Sequence, residues 1–183
     1  MKEPINQTIY SYKLLYRFRW GMIGHLFQWL LMGSSLIVIS MYLNVPVARL
    51  IVTLAILPAI AVSHLIVFRL FAQLRLLKPH TTADMLVSPW WGSGYRLPVP
   101  LSVYRTGESA VLLGCLFLAA AAYVWLPVEY GLTLLCGTLV LSLPRMVALL
   151  VSFRQTKNCR VKYENRGVAF LLTDGNAEKK SST

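Results

Sequence analysis

The chain has 183 residues, of which 56% are hydrophobic and only 14% charged, whereas roughly a quarter of the residues in an ordinary soluble domain are charged. Its 18 Lys and Arg residues outnumber its 7 Asp and Glu residues, yet its mean hydropathy is +0.58. This apolar content excludes a disordered chain, and three scattered cysteines do not make a disulfide framework. The composition indicates a membrane protein whose basic residues lie outside long apolar segments.

Four apolar segments approach the roughly 20 residues that cross a hydrocarbon core as a helix. The predicted spans are residues 23–43, 50–70, 109–126 and 130–153. A helix satisfies the backbone of such segments within lipid. We therefore predict an all-α membrane protein in which four transmembrane helices form two hairpins. The transmembrane domain would cover residues 23–154, with an amino-terminal arm (1–22), a central loop (71–107) and a basic tail (155–183).

The distribution of basic residues predicts the orientation of the chain. Positively charged segments next to membrane spans stay cytoplasmic. Arg49 is the only one of the 18 Lys and Arg residues on the side of the two short turns. We therefore expect a multi-pass protein of a bacterial cytoplasmic (inner) membrane, with both termini in the cytoplasm.

The amino-terminal arm interleaves basic and aromatic residues in TIYSYKLLYRFRW, which includes Arg17 and Arg19. Directly before a span, this pattern is typical of an interfacial helix on an anionic leaflet. Stacking and charge also bind single-stranded nucleic acid, but the aromatic belt of membrane proteins explains the pattern without a further assumption. We predict that Arg17 and Arg19 contact anionic headgroups or a partner, and that the chain binds no nucleic acid.

The central loop and the tail are the other predicted cytoplasmic segments. Residues 81–84 resemble a capping box and predict a short helix. The Pro and Gly residues between 89 and 100 forbid a regular helix, while Trp90 and Trp91 favour an interface. We predict an irregular segment that lies in the headgroup layer or docks on a partner. In the tail, apolar runs flank a turn cluster at residues 165–167, which predicts a hairpin or a partner-docking strand, and the end after Leu172 has a disordered composition.

Arg145 follows Pro144 inside the fourth span and lies nine residues before Arg154, or about 13 Å of helix. A charge at this depth costs about 2.5–3.5 kcal/mol, so it faces protein or water by default. The predicted spans contain no acidic residue to pair with it, and Glu108 is expected to reach only part of the way. We predict that Arg145 and Pro144 contact a partner subunit or an anionic lipid; the alternative is that Arg145 snorkels to the headgroups.

The second span offers a possible polar site within the membrane, because Pro58 frees a backbone carbonyl and Ser63 and His64 follow it. With His25, His64 could ligate a haem, but a pair of histidines without a motif is weak support for one. We predict no cofactor and no metal.

Small residues at four-residue spacing predict close helix packing, within the bundle or against another membrane protein. They are Ala55, Ala59, Ala110, Gly114 and Gly137.

The sequence lacks the patterns that enzymes of the bilayer usually show, such as paired carboxylates, a P-loop or HExxH. We therefore predict a non-enzymatic accessory or scaffolding subunit of a larger bacterial envelope assembly, for example secretion, conjugation or exclusion machinery. Its partners would be anionic lipid and another integral membrane protein, or copies of itself. The alternative is a small oligomeric transporter or flippase for an anionic solute or lipid that uses Arg145 and His64.

Overall fold

The computed structural model describes residues 12–81, 88–164 and 166–173. Within these residues, five helices, a short 3-10 helix and four strands follow one another. In order they are β1 (Tyr12–Arg19), α1 (Met22–Leu43), α2 (Val47–Thr53), the 3-10 helix (Leu54–Ile56), α3 (Leu57–Leu74), β2 (Val99–Pro100), α4 (Leu101–Tyr123), α5 (Val128–Phe153), β3 (Cys159–Glu164) and β4 (Gly167–Thr173).

Four helical segments are long and apolar enough to cross a membrane, as predicted. They are α1, the continuous segment Val47–Leu74, α4 and α5. The second segment contains the 3-10 helix because Pro58 has no N–H group for the carbonyl of Leu54. The N–H of Leu57 donates to that carbonyl instead, and the tighter turn replaces the lost hydrogen bond.

The chain is mostly helical but not all-α, because it also contains a four-stranded sheet of order β1-β4-β3-β2. All neighbouring strands are antiparallel. The prediction that the arm is an interfacial helix is wrong, since residues 12–19 form β1 and pair with β4. The arm alternates aromatic Tyr16 and Phe18 with basic Arg17 and Arg19, which is the period of a strand.

The predicted tail hairpin is confirmed, because β3 pairs with β4 and Glu164 lies opposite Gly167. Asn165, the predicted capping box from residue 82 onward and the end of the tail lie outside the described residues. Since β1 precedes the first span and β4 follows the last, the sheet joins the arm to the tail on one side of the bundle.

The third long helix begins at Leu101 and ends at Tyr123, so both of its ends lie before the corresponding bounds of the predicted span, 109 and 126. The prediction treated Glu108 as the edge of the span, whereas Glu108 is buried within the helix. Residues 101–107 therefore belong to α4 rather than to the central loop. Near this end, Arg105 donates to the carbonyl of Ser152 in the last turn of α5, where a cation favours the helix dipole.

An aromatic core fixes the sheet to the bundle. The inner face of the sheet contributes Tyr163 and Phe170, and the helices contribute Phe68 and Tyr104. The ring centroids of Tyr104 and Tyr163 lie 5.7 Å apart, and those of Tyr104 and Phe170 lie 6.2 Å apart. We call this end of the molecule the sheet end.

The predicted small residues divide into two groups. Gly114 packs on Val67 of α3, and Gly137 packs on Ile60 and Leu57 of the same helix. Ala110 is partly buried, whereas Ala55 and Ala59 are exposed on the outer side of the second span. The two glycines thus bring helices of this chain together, and the two alanines do not.

Replacing Gly137 tests this packing. A Cβ atom at Gly137 would lie 2.9 Å from Cδ1 of Ile60, whereas one at Gly33 would meet nothing within 4 Å. We expect Gly137→Val to lower the free energy of unfolding by about 1–3 kcal/mol through overpacking, measured by detergent titration of helix content in mixed micelles. Gly33→Val is the matched control, with a change of less than about 0.5 kcal/mol. Equal effects of the two substitutions would contradict the packing.

Candidate functional site

Arg145 and Glu108 form an ion pair inside the bundle. Nη1 of Arg145 donates to Oε2 of Glu108 at 2.9 Å, and both side chains are 0% exposed. Nη2 of Arg145 donates to the carbonyl of Trp90 at 2.5 Å. The hydroxyl of Tyr163 donates to Oε1 of Glu108 at 2.8 Å. This ion pair therefore joins four parts of the chain, namely α4, α5, the central loop and β3.

This geometry corrects three predictions about Arg145. Its acidic partner exists and lies in the neighbouring span, two turns into α4. The guanidinium does not snorkel to the headgroups, because it has no exposed surface. Contact with lipid or a partner subunit does not fit Arg145 for the same reason. Internal pairing offsets the cost of placing each charge in an apolar bundle.

The irregular part of the central loop docks on the helices of its own chain. The N–H of Trp91 donates to the carbonyl of Ser88, and the N–H of Ser93 donates to that of Trp90. Trp90 is 1% exposed within the aromatic core, and Trp91 is half-buried. Trp90 therefore has almost no surface for the predicted contact with lipid or a partner. Irregular backbone is tolerated within a membrane where other parts of the protein cover it.

A second polar contact forms at Pro144, which is itself buried and does not reach lipid or a partner. Pro144 leaves the carbonyl of Val140 without its helical donor, and Nε2 of Gln28 donates to this carbonyl at 3.0 Å. Oε1 of Gln28 accepts from Nε1 of Trp20 at 2.9 Å. Sequence reasoning singled out Pro144 but missed Gln28. The signal was the single amide side chain in the predicted first span, which contains no Lys, Arg, Asp or Glu.

A small cavity lies beside this contact. It has a volume of about 100 Å³ and separates α1 from the docked loop and α5. Gln28, Trp91 and Pro144 contribute to its walls, together with the exposed residue His25.

The polar residues predicted in the second span do not form one site. Nε2 of His64 lies 3.1 Å from the hydroxyl of Ser142 in α5, and His64 is 0% exposed. The hydroxyl of Ser63 donates to the carbonyl of Ile60 in its own helix. Pro58 is exposed on the outer side of the bundle. Within the described part of the chain, no group of three or more His, Cys, Asp or Glu residues is placed to hold a metal ion.

The remaining predicted contact residues lie on the sheet. Nη2 of Arg17 is 3.0 Å from Oε1 of Glu164, and the Arg17 side chain is 41% exposed. Arg19 is exposed at the end of β1, opposite Gly167. Their contact with anionic headgroups or a partner stays a prediction.

Two phenols close to the ion pair are held in their neutral form. Burial raises the pKa of Tyr95 from 10.0 to about 12, and the nearby Glu108 carboxylate adds to this rise. Burial also raises the pKa of Tyr163 well above its usual value, again with a contribution from Glu108. Because tyrosines of the unfolded chain ionise near pH 10, the contribution of the neutral Tyr95 phenol to stability is complete below pH 10 and is lost as the pH rises through about 12.

The arrangement is suited to holding parts of the chain together. Each charged oxygen or nitrogen named above already has a partner in the protein, and neither charged side chain is exposed. A buried ion pair without exposed surface gives a substrate nothing to contact.

No protein-family model, no curated protein and no solved structure matches this chain.

A double-mutant cycle tests the ion pair. We expect Glu108→Gln and Arg145→Met each to lower the free energy of unfolding by about 3–5 kcal/mol, because each leaves a buried charge unpaired. The double variant should lose far less than the sum. The matched cycle uses Arg49 and Glu129, an ion pair at 3.0 Å in which Arg49 is 67% exposed, and should give a coupling of about 0–1 kcal/mol. Equal couplings in the two cycles would contradict the assignment.

Two tyrosines in the same core separate a hydrogen bond from packing. Tyr163 donates to Glu108, whereas the buried hydroxyl of Tyr104 has no hydrogen-bond partner among the described residues. We expect Tyr163→Phe to cost about 1.5–3 kcal/mol of unfolding free energy, as for hydrogen bonds to charged groups. Tyr104→Phe should be neutral or stabilising. The same detergent titration measures both, and a larger loss for Tyr104→Phe would contradict the network.

Proposed function

We propose that the protein is a non-enzymatic subunit of a bacterial inner-membrane assembly, in which it acts as an accessory or scaffolding component. Secretion, conjugation and exclusion machinery are examples of such assemblies. One observation carries the proposal: Arg145 and His64, the residues on which a transport pathway would depend, are both 0% exposed and have partners within the chain. On this proposal the protein functions through contacts that its outer surfaces make with partners.

The outer side of the second long helical segment supports docking to another membrane protein. Small and β-branched residues recur there every three or four positions and are exposed, namely Ala48, Val52, Ala55, Ala59, Val62 and Ile66. Helices in lipid associate through close packing of such residues, because the hydrophobic effect does not drive helices together there. We call this surface the α2–α3 stripe.

The charge distribution supports a cytoplasmic position for the sheet. The basic residues that flank the spans at the sheet end outnumber those at the opposite turns, where Arg49 stands alone. By the positive-inside rule the sheet and the central loop face the cytoplasm. The subunit would then offer a helical surface to partners in the membrane and the sheet to cytoplasmic components.

The alternative function, a transporter or flippase, uses Arg145 and His64 on a solute pathway. The zero exposure of both residues gives this alternative no support in the described conformation. A positive charge that binds an anion needs an open approach, and the Arg145 guanidinium is already bound to Glu108 and Trp90.

Photo-crosslinking in the native membrane tests the proposal. A photoreactive residue at Ala59 lies on the α2–α3 stripe, and one at Phe117, which is 73% exposed on α4, is the matched control on a different outer face. We expect a crosslink from Ala59 to one defined membrane protein and only lipid adducts from Phe117. Native mass spectrometry of nanodisc complexes should show the same protein at fixed stoichiometry. A homo-oligomer with lipid alone, at both positions, would overturn the proposal.

A further inference from the structure

The sheet carries a groove on its outer face, opposite the face that packs on the helices. This groove has a volume of about 370 Å³ and crosses β1, β4, β3 and the segment before β2. Its volume falls at the lower end of the range for ligand pockets, roughly 300–1,000 Å³. We call it the sheet groove.

The floor of the sheet groove is apolar. Ala169 and Leu171 of β4 lie at its base. Leu14 of β1 and Leu97, before β2, are 48% and 73% exposed at its sides. Exposed leucines on either side of an apolar floor favour a ligand with apolar side chains, which would remove this surface from water.

The sides of the sheet groove are basic. Among the described residues that line it, Arg17, Arg96 and Lys162 are basic and Glu164 is acidic. Glu164 pairs with Arg17 at 3.0 Å. Arg96 and Lys162 are exposed and make no ion pair within residues 12–81, 88–164 and 166–173. The two cations therefore give the groove a surplus of positive charge beside its apolar floor.

We infer that the sheet groove binds an acidic segment of a partner protein, with carboxylates on Arg96 and Lys162 and apolar side chains against Leu14 and Leu97. This inference rests on the proposed function, because it names the contact through which the subunit holds a cytoplasmic partner. Complementary charge sets the specificity and association rate of such contacts, and the apolar floor supplies the area to bury.

The composition of the sheet groove favours a peptide over nucleic acid. Binding of single strands relies on aromatic side chains on which bases stack, and Tyr12 is the one aromatic residue among the described residues that line the groove. Its position also disfavours lipid headgroups of the surrounding bilayer, since the helices pack on the opposite face of the sheet.

Peptide titration of the full chain in zwitterionic nanodiscs tests the inference. The probe is a short fluorescent peptide in which Glu and Leu alternate. We expect saturable binding of the peptide. The double substitution Arg96→Glu with Lys162→Glu should weaken it at least about tenfold, because charge complementarity is reversed. Binding to the unaltered chain should also weaken as the salt concentration rises. The matched control, Arg154→Glu with Lys157→Glu, makes the same charge change at exposed residues outside the groove and should change affinity less than about threefold.

Three further probes decide the identity of the ligand. A peptide that alternates Glu and Ser tests the apolar floor, a single-stranded DNA tests nucleic acid, and vesicles with anionic lipid test a membrane surface. The inference is overturned by equal binding of the Glu–Ser peptide, by tighter binding of DNA or vesicles through the same cations, or by undiminished peptide binding to the reversed variant. Arg96→Ala with Lys162→Ala, checked for native helix content, gives an independent variant if the charge reversal disturbs folding.

The two proposals fail in different ways. If the Glu–Leu peptide binds the reversed groove variant with undiminished affinity while the Ala59 crosslink persists, the groove inference fails and the proposed function stands. If no partner crosslinks in the membrane but the Glu–Leu peptide binds the groove, the proposed function fails and the groove remains a binding site for acidic peptides.

Discussion

The buried ion pair between Arg145 and Glu108 is the interaction on which the rest of the structure depends. A lone charge at this depth would destabilise the bundle by several kcal/mol, so the two helices that carry the charges must face each other. Further hydrogen bonds join Arg145 to the carbonyl of Trp90 and the hydroxyl of Tyr163 to Glu108. One electrostatic requirement thus sets the position of α4, α5, the central loop and β3 together.

The aromatic core extends this constraint to the whole sheet. Tyr163 contacts Glu108 through its hydroxyl and packs its ring against Phe68 and Tyr104. Tyr163 lies on β3, which pairs with β4, and β4 in turn pairs with β1 from before the first long helix, so the sheet joins the segments before and after the helices at one end of the bundle. The polar and aromatic contacts at this end are therefore mutually dependent, as in other buried networks.

This use of the polar residues explains where partners are expected to bind. The buried charges of the helices, Arg145 and Glu108, already pair with each other inside the protein. The surfaces that we propose for partners are therefore the α2–α3 stripe and the sheet groove. The first is apolar and composed of small residues, which suits a helix in lipid. The second combines cations with exposed leucines, which suits an acidic segment in water. On this proposal, one small subunit contacts one partner within the membrane and another in water.

The amino-acid sequence by itself determined the four long apolar helices, the irregular Pro- and Gly-rich loop and the tail hairpin, because these follow from local hydropathy and turn chemistry. The sequence led to the wrong prediction of a helix at β1, because its alternating pattern forms a strand only with β4 beside it. It indicated Glu108 only as a residue that reaches part of the way to Arg145 and did not establish the pairing, since the two residues are 37 positions apart along the chain. Only the tertiary structure decided such pairings, because they depend on which residues folding brings within hydrogen-bonding distance.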